Sequence, residues 1–325
     1  MKLAVDGLGI ISKIGRVRDL ERLLRQSEIV PGDLDSGTAG SMDLDGLDLP
    51  QQLVRRMSHF AQLSLVSAYE AVKDSGLDIL GRSVGIIQGS VYGPIISGLQ
   101  ALDDLIDFGD NQLSPVHFTG SVYNTSATYL SLALGIQGPT LAHTCGLDTL
   151  YNALLTASFW LAEGGVDAVI IGVGDEYAPF FAERISEDRR TGLRPTAEGW
   201  VTLIVGKSER PKYGTIQCDS LKALPETVDQ KTIYSVWHEA ITVAGFAAHA
   251  KKNQACFPVS LRGSFPTASA FDLALALISN KTRRFPLHRA TDGAYSIQSL
   301  NHDERVICYG SSEHGGVFSY EVHQD

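Results

Sequence analysis

Apolar positions along the chain follow two periods in alternation, near two over short stretches and near 3.6 over longer ones, so strands and helices are predicted to alternate. Leu3–Ser12 alternates imperfectly around Gly7 and Gly9, with Gly15 just beyond, and reads as a buried strand and a turn. Leu20–Leu24 predicts a short helix, and the Gly-, Asp- and Pro-rich residues 31–50 a surface loop. In the segment 55–76, Met57, Phe60, Ala61, Ser64, Ala68, Ala71 and Val72 fall at helical spacing, and Gly76 supplies a stop. Ser83–Gly89 reads as a buried strand. Ile95–Phe108 reads as a helix with an acidic face of Asp103, Asp104 and Asp107, and Val122–Leu134 as a helix rich in small residues that breaks at Gly135–Pro139.

The central stretch is Gly138–Glu176: a short strand (Thr140–Thr144), a tight turn at Cys145-Gly146, a long apolar helix and a second strand (Asp167–Val173). A strand that feeds a helix through a sharp turn can lift one side chain out of the sheet as a nucleophile, and a cysteine stands near that turn. After it come a polar loop (Glu183–Glu198) bearing Arg184, Arg189, Arg190 and Arg194, then a strand at Trp200–Val205. The remaining chain predicts a strand at Gly214–Leu221, helices at Thr232–Ala250 and Ala268–Asn280, and paired strands at Glu304–Gly310 and Gly316–His323. This spacing argues for an α/β fold with mostly parallel sheets. Residues 213–325 look like a shortened second half of the architecture of residues 1–212, the two forming one compact unit.

Composition narrows the function classes. With 44% hydrophobic and 20% charged residues, a chain of 325 residues can bury a large core. A net charge of −10 argues against nucleic acid and anionic membrane as partners, because both favour a basic face. There is no run of 18 apolar residues, and the N-terminal stretch is too short and too glycine-broken for a signal peptide, so a cytoplasmic location is expected. Cys145, Cys218, Cys256 and Cys308 lie far apart with no CxxC pair, which excludes a zinc ribbon and predicts reduced thiols. GLGIIS lacks the spacing of a dinucleotide fingerprint, and no Walker, HExxH or GxSxG motif occurs, so no cofactor or metal is implied.

Five segments in order carry a family resemblance: Gly7-Leu8-Gly9 with Ile11-Ser12 and Gly15; RRMSHFAQLSLVSAYEAVKDSGLD; VGIIQGSVYGP; LSPVHFTGSVYNTSATYLSLALGIQGPT; and DAVIIGVGDE. Together they resemble the β-ketoacyl synthases of the thiolase-fold superfamily over nearly all of residues 1–206. The resemblance implies a thiolase-like fold: two related layered α/β halves with mostly parallel five-stranded sheets, the second shortened. A condensing enzyme of that kind needs a cysteine thiolate to take the acyl chain and two histidines to support decarboxylation. Aligned without gaps from Asn124 through Gly138-Pro139 to Asp167, the nucleophile position falls on Leu147, and Cys145 lies two residues earlier. Cys145 reaches the elbow only if the strand is shorter and the helix longer. Otherwise it is a small buried hydrophobe packed beside His143, which a period of two places on the same strand face.

The family's His-Gly-Thr loop has no counterpart. Its Lys-Ser-x-x-Gly-His segment is best matched by 259–277, with Val259 at the lysine and Ser264 at the histidine. Its Gly-Phe-Gly-Gly gate has become Glu313-His314-Gly315-Gly316. Loss of all three catalytic groups resembles the chain-length-factor subunits of type II polyketide and aryl-polyene synthases, and no catalytic residue is then expected. Such a subunit forms a heterodimer with an intact ketosynthase and reaches acyl carrier protein and its acyl chain through that partner, as in fatty-acid-like biosynthesis. By position, Tyr92, Leu105, Phe108, Phe118 and Tyr123 are candidates for the substrate tunnel. Asn124, Thr140, Leu141, Ala142, His143 and Thr144 are candidates for the dimer interface. The alternative is a divergent β-ketoacyl-acyl-carrier-protein synthase or acyltransferase with Cys145 as nucleophile.

Overall fold

The computed structural model describes residues 1–30, 37–40, 42, 44, 47, 49, 51–79, 81–187, 197–221, 230–235, 255–256, 265–289, 294–311 and 317–323. A single ten-stranded sheet runs through the molecule. One half is built from β1 (Lys2–Ser12), β3 (Val84–Gly89), β4 (Thr140–His143), β5 (Ala168–Asp175) and β6 (Gly199–Gly206) in the spatial order β4-β3-β5-β6-β1. The other is built from β7 (Thr215–Leu221), β8 (Lys231–Ser235), β9 (Ala255–Cys256), β12 (Val306–Ser311) and β13 (Val317–His323) in the order β7-β13-β12-β8-β9.

The pairings make the halves topological copies. β4, β3 and β5 are parallel, and β6 runs antiparallel between β5 and β1. Likewise β9, β8 and β12 are parallel, and β13 runs antiparallel between β12 and β7. Four of the five strands in each half therefore share one direction. The halves join where β1 meets β7, antiparallel, at the sheet's centre.

The helices explain where the chain's small residues went. In the first half they are α1 (Val17–Leu24), α2 (Gln51–Val54), α3 (His59–Ser75), α4 (Ile95–Phe108), α5 (Pro115–Gly120), α6 (Thr125–Leu134), α7 (Thr149–Glu163) and α8 (Pro179–Glu187). Helix α3 starts at Ser58, whose hydroxyl accepts from the Ala61 N–H, and ends at Gly76 with φ of 65°. It lies hard against β1: a Cβ on Gly9 would stand 1.9 Å from the Ser67 carbonyl oxygen. Gly9 is thus a point of close backbone approach inside a strand, and Gly15, with φ of 103°, is the turn. Helix α9 (Ala268–Thr282) is buried on every side from Phe271 to Asn280, Asp272, Ser279 and Asn280 included. It packs on both halves of the sheet.

Some expectations need correction. Lys231–Ser235 begins as strand β8, paired with β12, where a helix from Thr232 was expected; residues 236–250 lie outside the described residues. Thr232, Ile233 and Tyr234 are β-branched or aromatic, a strand signal that the apolar run behind them obscured. The Arg-bearing segment expected as loop continues helix α8 to Glu187. Arg189, Arg190 and Arg194 lie outside the described residues, and Arg184 sits over the Phe180 ring at 5.5 Å. A small second sheet of β2 (Glu28–Ile29), β10 (Arg284–His288) and β11 (Tyr295–Ser299) had no counterpart in the sequence reading. Among the described residues, no helix is long and apolar enough to cross a membrane.

Candidate functional site

Strand β4 ends one side of the ten-stranded sheet, pairing with β3 through Ile86↔Thr140, Ile87↔Leu141, Gln88↔Ala142 and Gly89↔His143. Its other edge is unpaired among the described residues. The strand stops at His143, one residue short of expectation, so Thr144 and Cys145 belong to the connection into α7. Gly146, Leu147 and Asp148 form one tight helical turn, and α7 begins at Thr149. The Thr149 hydroxyl pins this elbow: it accepts the Cys145 N–H at 3.1 Å and donates to the Gly146 carbonyl at 2.7 Å. A Cβ on Gly89 would lie 2.6 Å from the Thr149 methyl, so the end of β3 abuts the same point.

Leu147 is half-buried in the middle of that turn, and Cys145 is half-buried at its head. The expectation that Cys145 stands in the strand beside His143 is corrected: the strand has already ended. The two side chains meet nonetheless, because the turn folds back, with Sγ 3.9 Å from His143 Nδ1. On the other side of the ring, Nε2 lies 3.0 Å from the Thr156 hydroxyl. That hydroxyl gives its proton to the Asn152 carbonyl at 2.8 Å, so towards His143 it accepts. Nε2 is therefore the protonated nitrogen, and the Nδ1 lone pair faces the thiol. Burial lowers the His143 pKa and favours the neutral ring.

At the same end of the sheet as the elbow stand acids that sequence reasoning passed over. Asp175, at the end of β5, is fully buried and only accepts: from Ser90 Oγ (2.7 Å), Val91 N (2.9 Å) and Tyr92 N (3.1 Å), and on its other oxygen from Thr267 N (3.1 Å) and Oγ1 (2.8 Å). It binds the turn after β3 in the first half to the entrance of α9 in the second. Its neighbour Glu176 accepts the Ile96 N–H at the start of α4 at 2.9 Å. Glu198 is buried and holds His59 Nε2 (2.9 Å), Ala39 N (2.7 Å) and Tyr177 N (3.0 Å). Burial raises the Glu176 pKa to about 7, against the Ile96 N–H and His59 and with the charge of Glu198. Burial pulls His59 down, but the Glu198 hydrogen bond and the charges of Glu198 and Glu176 prevail and raise it. Only the DAVIIGVGDE motif hinted at any of these groups.

The candidate tunnel residues divide. Tyr92 is half-buried, its ring edge-on to Phe181 of α8 with centroids 4.7 Å apart. Leu105, Phe108, Phe118 and Tyr123 are instead exposed, at 44%, 66%, 55% and 48%. Of the candidate interface residues, Asn124, Thr140, Leu141 and Thr144 are exposed, and Ala142 and His143 are half-buried. Between α6 and the free edge of β4 runs a groove of about 290 Å³ lined by Asn124, Leu132, Thr140, Leu141 and Ala142. Ser264, Val259 and 313–316 lie outside the described residues.

The family model for the β-ketoacyl synthase N-terminal domain matches residues 37–244. A 3-oxoacyl-[acyl-carrier-protein] synthase 2 from Staphylococcus aureus is 31% identical over 231 residues, 64% of this chain and 56% of that protein. One from Vibrio cholerae is 27% identical over 186 residues, 53% of this chain and 45% of its own length. The chain thus spans about half the length of the curated relatives it matches. Among solved structures, a β-ketoacyl synthase from Burkholderia phymatum superposes over 100% of this chain and 99% of its own with a TM-score of 0.74 at 13% identity. The ishigamide ketosynthase/chain length factor gives 0.71 at 13% identity over the same shares. A ketosynthase in complex with its chain length factor from Xenorhabdus doucetiae gives 0.56 at 14% identity over 92% of this chain and 99% of that one. The thiolase-like fold is therefore shared, and with the family model covering more than half of its residues the chain belongs to the β-ketoacyl synthase family.

Proposed function

We propose that the chain is a non-catalytic, chain-length-factor-like partner of a ketosynthase, shaping the acyl tunnel of a type II polyketide, aryl-polyene or fatty-acid-like synthase. The observation that carries this reading is the elbow itself. Leu147, at the family's nucleophile position in the gapless register, fills the turn ahead of α7 and offers no chemistry. The adjoining edge of β4 and the exposed apolar side chains of α4 and α5 form a surface that a second ketosynthase-fold subunit would cover. In that arrangement Tyr92 floors a tunnel shared with the partner, whose active site receives the chain from acyl carrier protein. Resemblance to structures that contain a ketosynthase with its chain length factor supports the reading.

The test is acyl uptake. Incubated with acyl-loaded acyl carrier protein, the purified chain is expected to keep its mass, while a co-purified ketosynthase gains the acyl group. Acylation at Cys145, lost in Cys145→Ala, would overturn the reading. A second reading, acyl transfer through Cys145, is favoured by one observation: the unprotonated Nδ1 of His143 faces the thiol, and Thr156 orients the ring from behind.

A further inference from the structure

The surface that the proposed function assigns to a partner has an unusual charge. No lysine or arginine occurs between Arg82 and Arg184, a span that builds β3, α4, α5, α6, β4, α7 and β5. Its exposed part forms one continuous face. Helix α4 is joined to α5 through Asp104, whose carboxylate takes His117 Nδ1 at 2.7 Å and the Ser114 N–H at 3.1 Å. Helix α5 is joined to α6 by the Thr125 hydroxyl on the Thr119 carbonyl at 2.9 Å. Helix α6 meets the β4 edge across the groove between Leu132 and Leu141. Ile106 (73% exposed), Phe108 and Leu132 stand out of this face, each more than half exposed. The adjoining groove under α6, of about 670 Å³, is bordered by the one guanidinium of Arg56.

Against that apolar surface stand Asp103, Asp107 and Asp110, all exposed. Asp104 is held in its charged form below the usual carboxylate range, chiefly by the His117 hydrogen bond. Two-fold self-association would place this face on itself, because an isologous interface uses the same patch on both copies. The face with its four aspartates would then meet a face that carries the same four and, among the described residues, Arg56 only at its border. Like charges set against each other are a standard device for refusing one partner while accepting another.

We propose that this face receives a different protein, not a second copy of this chain, and that the partner's matching surface is apolar with lysines or arginines opposite Asp103, Asp107 and Asp110. The inference rests on the partner-subunit reading and adds to it the chemistry of the partner. The apolar groups supply contact area, and the aspartates supply the choice of partner.

The test is sedimentation velocity on the 325-residue chain at about 0.01 M and about 1 M salt, where the Debye length falls from roughly 30 Å to roughly 3 Å. The chain is measured alone and mixed with the variant Asp103→Lys/Asp107→Lys/Asp110→Lys, whose three positions are exposed and leave the core untouched. The expected result has two parts. Self-association of the unmodified chain tightens about tenfold or more at high salt, and at low salt the mixture associates about tenfold or more tightly than either chain with itself. A homodimer as tight at low salt as at high, or a mixture no tighter than the pure chains, overturns the proposal. Either result leaves the acyl-uptake test unaffected, and acylation at Cys145 would leave this surface standing.

Discussion

The Nδ1 of His143 faces the Sγ of Cys145 at 3.9 Å although the two residues belong to different elements, one closing β4 and the other heading the turn into α7. For a chain acting without its own chemistry, this pair is packing. Cys145→Ala is expected to lower stability by less than about 1 kcal/mol, as for a half-buried small side chain, and to leave a co-purified ketosynthase fully active. Urea unfolding and the turnover of the complex check both. Loss of turnover with intact stability would assign the thiol a chemical part.

Tyr92 leads to a different measurement. Its backbone is fixed by Asp175 and its ring by Phe181, so truncation removes the side chain without freeing the loop. Tyr92→Ala is expected to lengthen the products of the partner enzyme while turnover continues, read by mass spectrometry of the released chains. Products of unchanged length at full rate would remove Tyr92 from the tunnel.

The cluster of Glu176, Glu198 and His59 predicts how stability varies with pH. Glu176 titrates near 4.5 when unfolded and about 7 when folded, so the folded state binds its proton more tightly. Its contribution is fully present below the unfolded value and is lost as pH rises from about 4.5 to about 7, amounting to about 3 kcal/mol. His59, also raised, acts in the same direction, losing its contribution as pH climbs through its folded value. Glu176→Gln is expected to flatten this slope, measured by denaturant midpoints across the interval. An unchanged slope would show that Glu176 is not the group responsible.

Asp175 gives the most severe prediction. Both its oxygens face donors only, so an amide in its place would set an N–H against N–H or O–H groups in a fully buried site. Asp175→Asn is expected to cost about 3 kcal/mol or more, seen as a fall in the unfolding midpoint. A loss under about 1 kcal/mol would mean that these bonds rearrange freely.

How much of this could be read from the chain alone depended on distance along it. Ile95–Phe108 was legible to the residue because its period is clean and Gly109 follows, and the ends at Gly76 and Gly135 were announced by their glycines. The β4 edge and the elbow were legible within one residue. Thr232–Ser235 was misread because a strand of five residues, Lys231–Ser235, carries little periodic signal beside a longer apolar run. The contact of Glu198 with His59 spans 139 residues, and that of Asp175 with Thr267 spans 92. No local pattern encodes such pairs; only the topology brings them together. The charge gap from Arg82 to Arg184 was visible in the sequence, but its meaning required the helices to be placed on one face.

The position of β1 at the middle of the sheet has a consequence for synthesis. Its two neighbours begin at Gly199 and Thr215, so β1 cannot pair until synthesis has passed Gly199, far along the chain from Ser12. Until then its apolar residues are without the strands that flank them, and the high sequence separation of these pairings makes for slow folding. Strands β3, β4 and β5 can pair with one another before either neighbour of β1 has been made, so this sheet closes towards its middle rather than from it.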